Sequence, residues 1–142
     1  MPSVRKKTLF LEIDGVLHHR SATVAQFLNR MPTLEAAIGA SVLDIIICSK
    51  WRLENSFEKL TTSFPATLRT RVVGVTGPEI NATYGRLKEI QACCKERGIT
   101  AWRALDADAY GYPDGCPELI LCSGAVGISR PQAEALSAWL KS

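Results

Sequence analysis

The segment Thr8-Leu9-Phe10-Leu11-Glu12-Ile13-Asp14-Gly15-Val16 restricts the possible folds of this chain more than any other. It is an apolar strand that ends on two carboxylates two residues apart, with a glycine directly after them. Residues i and i+2 of a strand share a face, so Glu12 and Asp14 should project together from the strand's C-terminal end. Open α/β sheets bind their ligands at that edge. Two crowded carboxylates repel each other unless a cation or a shared proton relieves them. The plainer reading of the same residues is a strand running into an acidic turn, since Asp-Gly is common turn chemistry.

The rest of the chain supplies further strands. Apolar runs at Leu43–Cys48, Arg71–Val75, Ala101–Leu105 and Glu118–Cys122 join Thr8–Ile13 to make five. Leu43–Cys48 holds three successive isoleucines, the pattern of a strand covered on both faces. Helical patterns fall between the strands. Thr33–Ala40 has a capping threonine and Glu35 in its first turn. Glu54–Thr62 carries Phe57 and Leu60 three apart. Gly85–Arg97 places Leu87, Ile90 and Cys94 on one stripe and stops at Gly98. Ser129-Arg130-Pro131-Gln132 is a capping box that opens a last helix with Leu136, Trp139 and Leu140. Within His18–Met31 the pattern admits a short helix over Ala22–Met31, and Ala107–Pro117, rich in Gly, Pro and Asp, reads as a loop.

Such alternation predicts a Rossmann-like three-layer α/β domain: a mostly parallel sheet of about five strands, helices on both faces, right-handed crossovers. With 142 residues and no linker or repeat, the reading is one domain over residues 1–142. Hydrophobic content of 46% with 22% charged residues fits a soluble globular protein and excludes a disordered one. The net charge of +3 permits phosphate-bearing ligands without indicating nucleic acid. The run Arg5-Lys6-Lys7 reads as a solvated lead-in. No apolar run approaches the ~20 residues that span a bilayer, and no signal-peptide cleavage site follows the first strand. Both features predict a cytoplasmic protein with no membrane partner. The five cysteines show no Cys-x-x-Cys and no regular spacing, so neither a disulfide framework nor a zinc site is expected. Cys48 and Cys122 read as core filler.

Candidate site residues gather where strands end. Strand two runs into Cys48-Ser49-Lys50-Trp51-Arg52. A hydroxyl there can hold a phosphate oxygen beside backbone N–H groups, or it can cap the following helix, with Trp51 packing. Strand four ends Leu105-Asp106-Ala107-Asp108. Asp106 directly follows the apolar run, whereas Asp108 fits a ligand, a supporting group or a turn residue equally. Arg86 and Lys88 open the helix before strand four. His18 and His19, adjacent and without a third ligand, read as surface residues. Gly127-Ile128-Ser129 reads as structural.

Taken together, these segments resemble the haloacid dehalogenase-like (HAD) superfamily of aspartyl phosphatases. Its first motif is an apolar strand ending Asp-x-Asp-Gly. Its second is a Ser or Thr, its third a Lys or Arg, and its fourth a pair of acidic residues. The chain is similar to one small subgroup, the HAD domains found near RNA-repair systems, which carry Asp-Ile-Asp-Gly-Val-Leu-His and a later Ser-x-Trp-Arg. Here these read Glu12-Ile13-Asp14-Gly15-Val16-Leu17-His18 and Ser49-Lys50-Trp51-Arg52. Arg86 followed by Glu89-Ile90 matches the third motif more loosely and favours Arg86 over Lys88. No insertion is long enough for a large cap domain. Capless members have open sites and act on phosphorylated substrates that include large or macromolecular ones.

The resemblance implies a Mg²⁺-dependent phosphohydrolase acting through an acyl-phosphate. Position 12 would carry the nucleophile, Asp14 the general acid/base, Ser49 and Arg86 the phosphate contacts. Glu12, Asp14 and Asp106 would hold Mg²⁺, which usually takes one or two carboxylates plus water and substrate. The family's nucleophilic Asp is replaced by Glu12. The added methylene moves the carboxylate by roughly 1 Å or more, and misplacement of about that size can cost ~100-fold in rate. The alternative reading is a catalytically degenerate HAD-fold module that binds a phosphorylated ligand, a metal or a partner without turnover. A nucleotide-binding oxidoreductase is a poor reading, since no Gly-x-Gly-x-x-Gly follows strand one.

Overall fold

The structure, a computed structural model, describes residues 6–142. Five parallel strands form one sheet: β1 (Lys7–Leu11), β2 (Asp44–Ile47), β3 (Val72–Val75), β4 (Ala101–Asp106) and β5 (Leu119–Leu121). Their spatial order is β3-β2-β1-β4-β5. The chain first builds outward from β1 in one direction and then resumes on its other side with β4. The crevice between the C-terminal ends of β1 and β4 is therefore the topological switch point, where open α/β sheets take their ligands. In register, Leu11 sits between Ile47 of β2 and Leu105 of β4, so Glu12 leaves the sheet beside Asp106.

Alternation along the strands divides the core into two layers. Leu9, Leu11, Ile45 and Ile47 point to one side. There they meet Leu34 of α1 (Met31–Ile38), Leu60 of α3 (Phe57–Thr62), Leu68 of α4 (Ala66–Arg69) and Leu136 of α6 (Arg130–Lys141). Phe10, Ile46 and Ala104 point to the other side, against Ile90 and Cys93 of α5 (Gly85–Arg97). Full burial of such an aliphatic or aromatic side chain contributes about 1.5–3 kcal/mol, which is why a continuous apolar strand is stable only when both faces are covered. Cys48 and Cys122 are buried in these layers as free thiols.

Several boundaries differ from the sequence reading. The region 54–62 is not one helix. α2 (Trp51–Glu54) stops at Asn55, and Ser56 starts α3 by accepting the Lys59 N–H. α1 begins at Met31, ahead of Thr33, because Pro32 suits a first helical turn. Ala22–Met31 forms a short 3₁₀ turn at Val24–Gln26 rather than a helix throughout. α5 keeps both expected ends, with Gly98 left-handed at its C-cap (φ 70°). Arg5 of the basic run lies outside the described residues. Lys6 pairs with Asp44 at 2.9 Å, and Lys7 is not solvated lead-in. Its ammonium donates to the carbonyls of Leu140 and Ser142 at 3.2 and 2.7 Å. No helix among the described residues is long and apolar enough to cross a membrane.

Candidate functional site

The first carboxylate arrives while the β1–β4 ladder is still running. The Glu12 N–H donates to Leu105 O at 3.0 Å, and the side chain turns into the crevice, 8% exposed. One of its oxygens, Oε1, accepts the N–H of the next residue, Ile13, at 2.7 Å. The other lies 2.8 Å from the Arg86 guanidinium. The chain then reverses at Gly15, whose φ of 78° is open to glycine at little cost. A Cβ there would meet the Ala107 Cβ at 2.8 Å, so glycine also lets the loops after β1 and β4 close on each other.

Asp14 is held from two sides. His18 Nε2 donates to its Oδ1 at 2.7 Å, and Trp51 Nε1 donates to its Oδ2 at 3.1 Å. The carboxylate is half-exposed, whereas His18 is 1% exposed. This corrects the surface reading of His18. Its Nδ1 accepts the Leu28 N–H at 3.2 Å, which assigns the imidazole proton to Nε2. The ring stacks on Phe27 with centroids 4.8 Å apart. Adjacent residues of a turn diverge, so His19 stays outside and bonds Gln26 at 3.1 Å.

Asp106, at the end of β4, is fully buried. Its Oδ1 accepts the N–H groups of Ala107 and Asp108 at 2.7 and 3.1 Å, and its Oδ2 accepts the Tyr112 hydroxyl at 2.9 Å. Burial pushes its pKa up to about 6, with Arg86 opposing and Glu12 adding to the rise. Burial likewise raises the Tyr112 phenol, which keeps its proton and donates it. Asp108 is a turn residue, accepting the Tyr110 N–H at 3.1 Å to cap the 3₁₀ turn Ala109–Gly111.

Arg86 comes from the first turn of α5. Its fork reaches Glu12 at 2.8 Å, Asp106 at 3.5 Å and the Cys48 Sγ at 3.3 Å. Burial opposes its charge, but the facing groups hold it above the ordinary arginine range. Burial raises the Cys48 thiol, so that contact is to a neutral group. Lys88 is exposed. Ser49 is fully buried and its Oγ accepts the Trp51 N–H at 3.1 Å, the local role of a cap.

Beneath the site, Arg52 acts as a structural clamp. It donates to the carbonyls of Cys48, Ser49, Thr76 and Gly77 and to Glu89 at 2.8 Å. The other Glu89 oxygen accepts the Ile80 N–H at 3.0 Å. The ends of β2 and β3 are thereby fixed to α5, which positions Arg86.

The crevice is a cavity of about 400 Å³ whose walls include Glu12, Asp14, Asp106, Arg86, Arg20 and Lys50. Arg20 donates to Ala107 O at 3.0 Å, and the exposed Lys50 ammonium lies 3.7 Å from Glu79. Arg20 was not among the expected site residues, because its place depends on the loop 107–110 rather than on any local pattern. Mg²⁺ is held octahedrally by one or two carboxylates, with water and substrate oxygens as its other ligands. Both Asp106 oxygens and both Asp14 oxygens already accept protein donors, and Glu12 is tied to Arg86. Among the described residues no three His, Cys, Asp or Glu side chains come together as a metal-ligating group. Arg86 offsets part of the negative charge in the crevice, facing Glu12 and Asp106.

A family model described as the HAD domain in Swiss Army Knife RNA repair proteins matches residues 8–133. Among curated proteins and among solved structures nothing matches the chain.

Proposed function

The chain belongs to the family of HAD domains in Swiss Army Knife RNA repair proteins, and we propose that it is a phosphate-ligand-binding module of that fold without covalent turnover. One observation carries the reading: both oxygens of Glu12 are engaged, one by the Ile13 N–H at 2.7 Å and one by Arg86 at 2.8 Å. A carboxylate nucleophile must direct a lone pair in line at phosphorus, within about 3–3.5 Å. Glu12 is also one methylene longer than the family's aspartate. The cations Lys50 and Arg20 beside the cavity support recognition of an anion, because neither is buried in an ion pair as Arg86 is. The family's description makes a phosphorylated RNA end the first ligand to test.

The experiment pairs binding with turnover. A short oligoribonucleotide with and without a terminal phosphate is titrated into the protein, and phosphate release from an aryl phosphate is followed with and without Mg²⁺ for the chain and for Glu12→Asp. The phosphorylated end should bind about tenfold more tightly, a difference of ~1.4 kcal/mol. The unaltered chain should release no phosphate above background. Metal-dependent turnover by it, abolished by chelator, overturns the reading.

A second reading, a slow Mg²⁺-dependent phosphohydrolase, is favoured by Asp14. Its carboxylate stands half-exposed at the cavity with both oxygens oriented by donors, an arrangement suited to an acid/base group. Turnover that vanishes in Asp14→Asn is the result that selects it.

A further inference from the structure

We propose that a second lobe, next to the crevice, is a subsite for the planar base of a nucleotide whose phosphate occupies the crevice. The inference rests on the phosphate-binding reading above and goes on to name what the phosphate is attached to.

The second lobe, about 290 Å³, shares Lys50, Arg86, Asp108 and Tyr110 with the crevice. The two lobes are therefore contiguous, with the same cations on their common border. Two tyrosines stand in the wall of the second lobe. Tyr110 is 92% exposed, an unusual cost for a large aromatic ring, yet its backbone is pinned by the Asp108 cap on its N–H. Tyr84 is 40% exposed and left-handed (φ 56°, ψ 40°), a strained conformation for a residue with a Cβ. Strain of this kind persists where the surroundings fix it. Here the next residue, Gly85, packs flush on Ile80, where a Cβ would lie 2.1 Å from the carbonyl oxygen.

Exposed aromatic rings on fixed backbone are what base stacking uses, and stacking tolerates any base because each has a π-face. Of the acidic side chains of this lobe, Glu89 is neutralised by Arg52 and bonded by the Ile80 N–H, Glu79 faces Lys50, and Asp108 accepts the Tyr110 N–H. A bipartite ligand, anionic at one end and aromatic at the other, matches a shared border that carries Lys50, Arg86 and Tyr110 and a second lobe walled by Tyr84.

Calorimetric titrations with inorganic phosphate, ribose 5-phosphate and adenosine 5′-monophosphate test this. The adenosine compound should bind about tenfold more tightly than ribose 5-phosphate, and Tyr110→Ala should remove that preference. Tyr84→Gly, which relieves the left-handed strain and so keeps the fold, should reduce the same preference. Equal affinities for the two phosphates overturn the subsite and leave the phosphate reading standing, as does a preference that survives both substitutions. Absence of binding by all three phosphates overturns the phosphate reading and the subsite with it.

Discussion

His18 and Asp14 stand one turn apart and are joined by a 2.7 Å hydrogen bond from a buried imidazole to a half-exposed carboxylate. The other ring nitrogen is taken by the Leu28 N–H, and Leu28 itself is left-handed (φ 63°). A single ring thus couples the acidic turn after β1 to the irregular segment ahead of α1. Replacing it removes two hydrogen bonds and a ring stacked on Phe27.

His18→Ala should therefore destabilise the fold by about 2–3 kcal/mol. Urea denaturation measures this directly. A loss below about 0.5 kcal/mol, the range of ordinary surface changes, would show the ring to be dispensable.

The buried Asp106 carboxyl gives a pH dependence with a definite sign. Its folded pKa of about 6 lies above the unsupported value of 3.8, so the folded state holds the proton more tightly. Its contribution to stability is full below the lower value and is lost as pH rises through the higher one. In Asp106→Asn that titration is absent. The stability of the unaltered chain minus that of the variant should fall by about 2 kcal/mol between pH 4 and 7. Denaturant midpoints across that window test it, and a flat difference contradicts it.

Arg52→Lys keeps the charge and loses the fork. Lysine cannot reach the four carbonyls and Glu89 together, so a cost of about 2–4 kcal/mol is expected despite the conservative exchange. Chemical denaturation should show this, with Arg86 displaced as a consequence. Stability equal to that of the unaltered chain would mean the clamp is redundant.

Two glycines, one in the connection after β3 and one at the start of α5, make a paired test. A Cβ at Gly85 would collide with the Ile80 carbonyl at 2.1 Å, while one at Gly77 meets nothing within 4 Å. Gly85→Ala should cost about 1–3 kcal/mol. Gly77→Ala should be neutral or stabilising by up to about 1 kcal/mol. Thermal melting of the two variants side by side reads the contrast, and similar melting temperatures would refute it.

The strands were legible because their covered positions are apolar, apart from Thr8 and the terminal Asp106. Ile45, Ile46 and Ile47 leave no polar face, which forces layers on both sides. α5 was legible at both ends because Gly98 marks its stop and its charges avoid one stripe. Glu12 and Asp106 could be picked out since each directly follows an apolar run, and Asp14 by its spacing of two from Glu12. What sequence reasoning missed depends on contacts across long separations. His18 is buried by Phe27 and Trp51, Tyr112 by Asp106, and neither burial leaves a local period in the sequence. The break is hidden in the sequence because only two extended residues, Asn55 and Ser56, interrupt an otherwise helical pattern, and the Ser56 cap restarts it. The roles of Ser49 and Asp108 depended on which donor each oxygen meets, something residue type cannot specify.

Lys7 opens β1 at the edge of the sheet opposite the cavity, and its ammonium holds the carbonyls of Leu140 and Ser142. The beginning of the first strand and the end of the last helix are thus tethered to one spot, across the sheet from Glu12 and Tyr110. A fluorophore, bead or sensor surface coupled at Ser142 would leave the mouth of the crevice turned toward bulk solution, with long ligands free to approach it.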